Sequence, residues 1–143
     1  MARRTFPLSK VCGLLEPGPV VLVTTADNGR RNVMTLSWQT MLDFEPPLLA
    51  CVVSDRGIDK FAQFGLTPVA ASKVSAPLIA ECYANLECRV TDTRMVRRYN
   101  LFVLQVLQAW MDRTVKDPRT LHHRGYGAFM VAGGNIELRS KMR

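Results

Sequence analysis

No C-x-x-C pair, no G-x-G-x-x-G and no G-x-x-x-x-G-K-S/T occurs in the sequence, and no apolar run approaches the roughly 20 residues that a spanning helix needs. The first absence leaves Cys12, Cys51, Cys82 and Cys88 without thioredoxin-like or zinc-finger spacing, so they read as thiols, mostly buried, and no metal site is expected. The missing glycine motifs mean that any dinucleotide must bind without a Rossmann turn or a P-loop. Two arginines open the chain, but no long apolar segment follows them, which argues against a secretory signal peptide and a membrane class and for a cytoplasmic protein. Aromatic residues make up only 8% and are not interleaved with basic ones, so a nucleic-acid strand binder is disfavoured. Acidic residues are scarce towards the C-terminus. Residues 1–93 carry nine Lys/Arg against nine Asp/Glu, whereas residues 94–143 carry ten against three, so the whole net charge of +7 sits in the last third. A basic third attracts anions: it reads as a solvated surface, as a partner for phosphate on a cofactor or substrate, or as a nucleic-acid contact.

What is present is β-strand chemistry. The chain of 143 residues, 48% apolar, suits a single domain with one core. Residues 20–25 are apolar and β-branched and stop at Asp27-Asn28-Gly29, where positive φ is tolerated, which predicts strand, tight turn and strand. Beyond the turn Met34, Leu36 and Trp38 alternate with Thr35, Ser37 and Gln39, so one face packs and the other offers hydroxyl and amide groups. Glu45-Pro46-Pro47 interrupts pairing, and residues 48–53 read as a buried strand with the polar exit Ser54-Asp55-Arg56.

The flanks are less regular. Ser9 is a plausible N-cap for a short helix ending before Pro17, and residues 57–65 read as one or two helical turns closed by Gly65. Residues 66–77 read as a surface connection, and residues 81–90 as a strand with Cys82, Ala84, Leu86, Cys88 and Val90 on its apolar face. Residues 101–111 fit a buried strand better than a helix; a basic loop with His122-His123 follows, then a hairpin pairing residues 129–131 with 136–138. Adjacent histidines on an extended chain point to opposite sides, so at most one can face a ligand. The fold class is mainly β: a small antiparallel barrel of five to seven strands with short helices.

The order Leu14-Leu15-x-Pro17-x-Pro19-Val20-Val21-Leu22-Val23-Thr24-Thr25, Asn32-Val33-x-Thr35-x-Ser37-Trp38 and Pro46-Pro47-Leu48 resembles the flavin reductase-like, FMN-binding split-barrel family. Asp59-Lys60-Phe61-x-x-x-Gly65-Leu66-Thr67 and Glu81-Cys82-x-x-x-Leu86-Glu87-Cys88 extend the resemblance over nearly the whole chain. It implies a homodimer of split β-barrels with FMN near the interface, hydride drawn from NADH or NADPH, and electrons passed to free flavin, to a partner such as a monooxygenase, or to another acceptor. Carried over by position, Thr35, Ser37 and Trp38 lie along the isoalloxazine and ribityl chain, backbone near Cys51 and the exit Ser54 to Arg56 continue the site, and Lys60 lies near the phosphate or ring edge.

No catalytic residue is named, because the flavin carries the chemistry. Without the resemblance, the Thr35/Ser37/Gln39 row is simply a solvated strand face, and Trp38 belongs as readily to the core as to a cofactor. One departure stands out: family members place a few dozen residues between the strand ending at Ser54 and the Asp-Lys-Phe segment, where here Arg56 joins almost directly to Gly57. A lost barrel strand exposes an edge and invites self-association. The alternatives are a flavin-binding electron carrier without turnover, a cofactor-free basic barrel binding nucleic acid or another anion, and a bare dimer scaffold.

Overall fold

Asn28 and Gly29 take φ of 47° and 79°, the paired positive angles of a two-residue turn whose twist matches that of the strands it joins. They link β1 (Val21–Asp27) to β2 (Arg30–Leu36), antiparallel in a register running from Val21 opposite Leu36 to Asp27 opposite Arg30. The computed structural model describes residues 18–53 and 60–136, with residue 60 described in its backbone only. The helix expected after Ser9, the exit Ser54-Asp55-Arg56 and Leu138 lie outside the described residues.

The alternation from Met34 to Gln39 does not form one strand. Pairing with β1 ends at Leu36, and a new strand, β3 (Gln39–Phe44), begins after Ser37-Trp38. The break decides the place of Trp38: Leu36 is buried, but Trp38 is 52% exposed and takes no part in the core. β3 pairs with β4 (Pro47–Val52), β4 with β8 (Leu101–Met111), and β8 with β7 (Ala84–Asp92), giving a four-stranded sheet in the order β3-β4-β8-β7, antiparallel throughout. Residues 101–111 are thus a strand, as read from the sequence. Among the described residues β3 and β7 each pair on one side only.

Between these strands lie short elements. Helix α1 (Lys60–Phe64) ends at Gly65, whose φ of 63° is the left-handed conformation that stops a helix. β5 (Pro68–Val69) pairs with β6 (Leu78–Ile79), and α2 (Val96–Tyr99) ends at Asn100, whose φ is 50°. β10 (Phe129–Val131) pairs with β9 (Leu121–His123), a pairing the sequence did not suggest, while residues 137–138 of the expected partner lie outside the described residues. The Ala132-Gly133-Gly134-Asn135 stretch looked like the turn, yet the tighter turn lies at Tyr126-Gly127, where φ is 52° and 80°.

Val33, Phe61 and Ile79 form the buried cluster, with Leu22, Leu66 and Cys82 packed against it. Each such side chain contributes on the order of 1.5–3 kcal/mol by leaving water. The connection over residues 66–77 is more than a surface crossing. Thr24 donates its hydroxyl to the Pro77 carbonyl at 2.6 Å, and Ser72 and Lys73 donate backbone N–H groups to Glu87.

In the middle of β7, Leu86 and Glu87 exchange their expected places. Glu87 is 1% exposed and Leu86 51%, although period-two reading puts the apolar set inside. The carboxylate is tolerated because it is saturated: Oε1 accepts from the Trp110 indole at 2.7 Å and the Ser72 hydroxyl at 3.0 Å, besides the two backbone donors. Burial pushes its pKa up, but the hydrogen bonds from Trp110, Ser72 and Lys73 together outweigh it and hold it at about 2.

Candidate functional site

Four backbone segments end at one place. The N–H of Val52 donates to the Trp38 carbonyl, and that of Val53 to the Asn100 carbonyl, both at 3.0 Å, so the end of β4 is clamped between the β2–β3 junction and the end of α2. The Gln39 side chain donates to the Pro19 carbonyl at 3.0 Å, Pro19 bridges to His122, and Val20 donates to the Leu121 carbonyl at 2.7 Å. This ties β9 to the start of β1. Gly18 permits the approach: a Cβ there would sit 3.2 Å from the Ser37 carbonyl oxygen.

Between these ends opens a cleft of about 540 Å³, lined by Thr35, Leu36, Ser37, Trp38, Val52, Val53, Asn100, His123, Gly125 and Tyr126. Ser37 Oγ lies 3.5 Å from His123 Nδ1, and the His123 ring packs on Phe129 with centroids 5.1 Å apart. His122 turns the other way, its Nε2 2.8 Å from the Thr120 hydroxyl. Of the two histidines, only His123 is among the cleft-lining residues.

Thr35, Ser37 and Trp38 come together on one wall. Cys51 does not join them: it is 5% exposed, paired on its two sides with Gln39 and Phe102, while its neighbours Val52 and Val53 reach the cleft. Ser54 and Arg56 lie outside the described residues, and Lys60 begins α1 with its side chain outside them. Asn100 and Tyr126 carry no sequence signal beyond glycines beside the tyrosine; a helix terminus and a turn place them.

Among the described lining residues there is no Lys, Arg, Asp or Glu. The wall offers hydroxyls, amides and aromatic rings, suited to a flat ring with a polar, uncharged edge. Burial pushes the Cys51 and Cys82 thiols up, and burial, then the nearby Cys51, pushes Cys88 up to about 11. All three are protonated at neutral pH and poor nucleophiles.

The family model for the Flavin reductase like domain matches residues 14–57 and 50–130. The match falls into two pieces meeting where the sequence suggested a missing segment. The uncharacterized protein YddH of Escherichia coli (strain K12) is 29% identical over 172 aligned positions, covering 86% of this chain and 91% of the relative. Since 86% of 143 residues is about 123, some 49 of those positions have no residue here, in keeping with an internal shortening of a few dozen residues. In fold, the chain is similar to an FMN-binding domain of a flavin reductases-like enzyme from Shewanella baltica OS155, with TM-score 0.77, 24% identity and coverage of 94% of this chain and 96% of that one. It is similar also to flavoredoxin of Desulfovibrio vulgaris (Miyazaki F), with TM-score 0.74, 18% identity and coverage of 99% and 96%. The mainly antiparallel architecture is that of the split barrels.

Proposed function

The chain belongs to the flavin reductase-like family, and from that premise we propose that it is an FMN-dependent oxidoreductase taking hydride from NADH or NADPH. The observation that carries this reading is the meeting of Thr35, Ser37 and Trp38 in one cleft with Val53, Asn100 and His123. At about 540 Å³ the cleft falls within the range of small-molecule sites, and its described lining, polar without Lys, Arg, Asp or Glu, fits a flavin ring and ribityl chain. Thr35 and Ser37 supply hydroxyls to the ring edge or ribityl chain, Trp38 an aromatic wall, and Val52 and Val53 an apolar floor. Arg56 and Lys60 are the cations proposed for the phosphate, Lys60 for the phosphate or the ring edge, and Ser54 is proposed to continue the site. When bound, FMN supplies the ring that accepts the hydride, so the protein orients and desolvates without giving a proton.

Electrons then pass to free flavin or to a partner protein such as a monooxygenase. The use of reduced nicotinamide accords with a cytoplasmic protein, and among the described residues no helix is long and apolar enough to cross a membrane. The fold shared with flavoredoxin favours, as a second reading, an electron carrier without turnover of its own. The visible spectrum after adding FMN and desalting tests both. About one retained flavin per subunit is expected; no retained flavin in a folded protein would sink both readings. Anaerobic NADH then bleaches the band of a reductase and leaves that of a carrier.

The proposed assembly is a homodimer. Leu86, Val90 and Met111 on β7 and β8 are 51%, 49% and 64% exposed, and exposed apolar side chains at a sheet edge favour self-association. Leu86→Asp with Val90→Asp is expected to give a monomer in light scattering after size exclusion. An unchanged dimer would place the interface elsewhere.

A further inference from the structure

The β9–β10 hairpin carries an apolar face that the buried core does not use. Leu121 stands opposite Val131 and His123 opposite Phe129, so these four side chains share one face. The Thr120 hydroxyl, 2.8 Å from His122 Nε2, shows that residues 120 and 122 share the other. Leu121, Phe129 and Val131 are 44%, 53% and 48% exposed. Pairing runs beyond the strands at both ends: the Ala132 N–H donates to the Thr120 carbonyl at 2.9 Å, and the Arg124 N–H to the Ala128 carbonyl at 2.8 Å. Alternation therefore puts Arg119 on the side of Leu121, at the end of the face away from the cleft, while His123 carries the face into the cleft.

Charge says what covers this face. Residues 113–136 hold Arg113, Lys116, Arg119 and Arg124 against one acid, Asp117, which already accepts from the Asn135 side chain at 2.6 Å. All four cations are exposed, and among the described residues none of them makes an ion pair. A second copy laid on the same face by a two-fold axis would set these cations against their own kind. Nucleic acid suits the face less well, since its centre is aliphatic and its one phenyl ring, Phe129, already packs on His123. We propose that this face is the docking surface of an acidic protein partner, whose apolar side chains cover Leu121, Phe129 and Val131 and whose carboxylates meet Arg119 and Arg124. An apolar centre with a charged rim is the general build of such a contact, and the rim charges steer the encounter. Docking here goes beyond the flavin reading and does not require FMN in the cleft.

The test is photocrosslinking of the full chain in the cells that encode it, followed by titration of the captured protein. Benzoylphenylalanine replaces Leu121, Val131 or, as a control on another exposed strand position, Val69. Leu121 and Val131 are expected to give adducts with one and the same protein, of net negative charge, and Val69 to give none. Once purified, that protein should bind wild type with an affinity that falls as salt rises from about 0.05 to about 0.5 M. Arg119→Glu with Arg124→Glu should weaken it roughly 10- to 100-fold, mostly through the association rate, with Tm within about 2 °C of wild type. Arg119→Glu alone should weaken it roughly three- to tenfold, and it decides the matter if the double variant does not fold. No adduct, unrelated proteins at the two sites, the same adduct at Val69, an adduct with a second copy, or one removed by nuclease each overturns the proposal. So does a captured protein whose affinity is unchanged by the charge reversals or by salt. Adducts are scored in protein with and without retained FMN, so failure of the flavin reading leaves this result readable.

Discussion

Glu87→Ala is expected to lower Tm by roughly 10 °C or more, or to prevent the folded protein from accumulating. The substitution removes the acceptor for the Ser72 and Lys73 N–H groups, the Ser72 hydroxyl and the Trp110 indole, and it unpins residues 66–77 from β7. Donors left without an acceptor lose their hydrogen bonds without regaining full hydration, so the loss exceeds that of any one bond. Glu87→Gln keeps shape and one acceptor but sets an NH2 against donors, and it should fall between wild type and alanine.

The same site sets an acid limit. The Glu87 carboxyl is held at about 2 in the folded protein against 4.5 ordinarily, burial opposing the shift and the Trp110, Ser72 and Lys73 bonds winning. A depressed carboxyl contributes stability that is complete above its unfolded value and is lost as pH falls through its folded one. Tm of the wild type should therefore decline between about pH 4.5 and pH 2 more steeply than that of Glu87→Gln. Parallel profiles, measured by thermal unfolding at each pH, would show that this carboxylate does not govern acid stability.

The second large effect concerns the cofactor. Ser37→Ala together with Lys60→Ala is expected to weaken FMN binding by roughly 30- to 1,000-fold, combining a neutral hydrogen bond with a charge-assisted one. Isothermal titration with FMN measures it, with circular dichroism to confirm the fold. A folded double variant of unchanged affinity would remove both residues from the site. Ser37 sits 3.5 Å from His123, so the pair also separates ring contact from phosphate contact: Ser37→Ala alone should give the smaller part of the loss.

The sequence by itself determined the local elements and the family. Asn28-Gly29 dictated the first turn because few other pairs accept two positive φ values, and Gly65 ended α1 for the same reason. The apolar run of residues 101–111 fitted a buried strand better than a helix, and it forms one. Thr35, Ser37 and Trp38 were legible as a wall because they are close in sequence.

Only tertiary structure decided which faces turn inward and what the wall meets. Period-two alternation marks two faces without saying which one is buried, and at Leu86 and Glu87 of β7 the choice went against hydropathy. The deciding donors to Glu87 lie 14 to 23 residues away, beyond the reach of any local pattern. The pairing of β10 with β9, through the turn at Tyr126-Gly127, was likewise not marked by any local pattern. Asn100, His123 and Tyr126 join Ser37 across 63 to 89 residues of chain, and hydrogen bonds between the ends of separate strands, not any sequence spacing, bring them there.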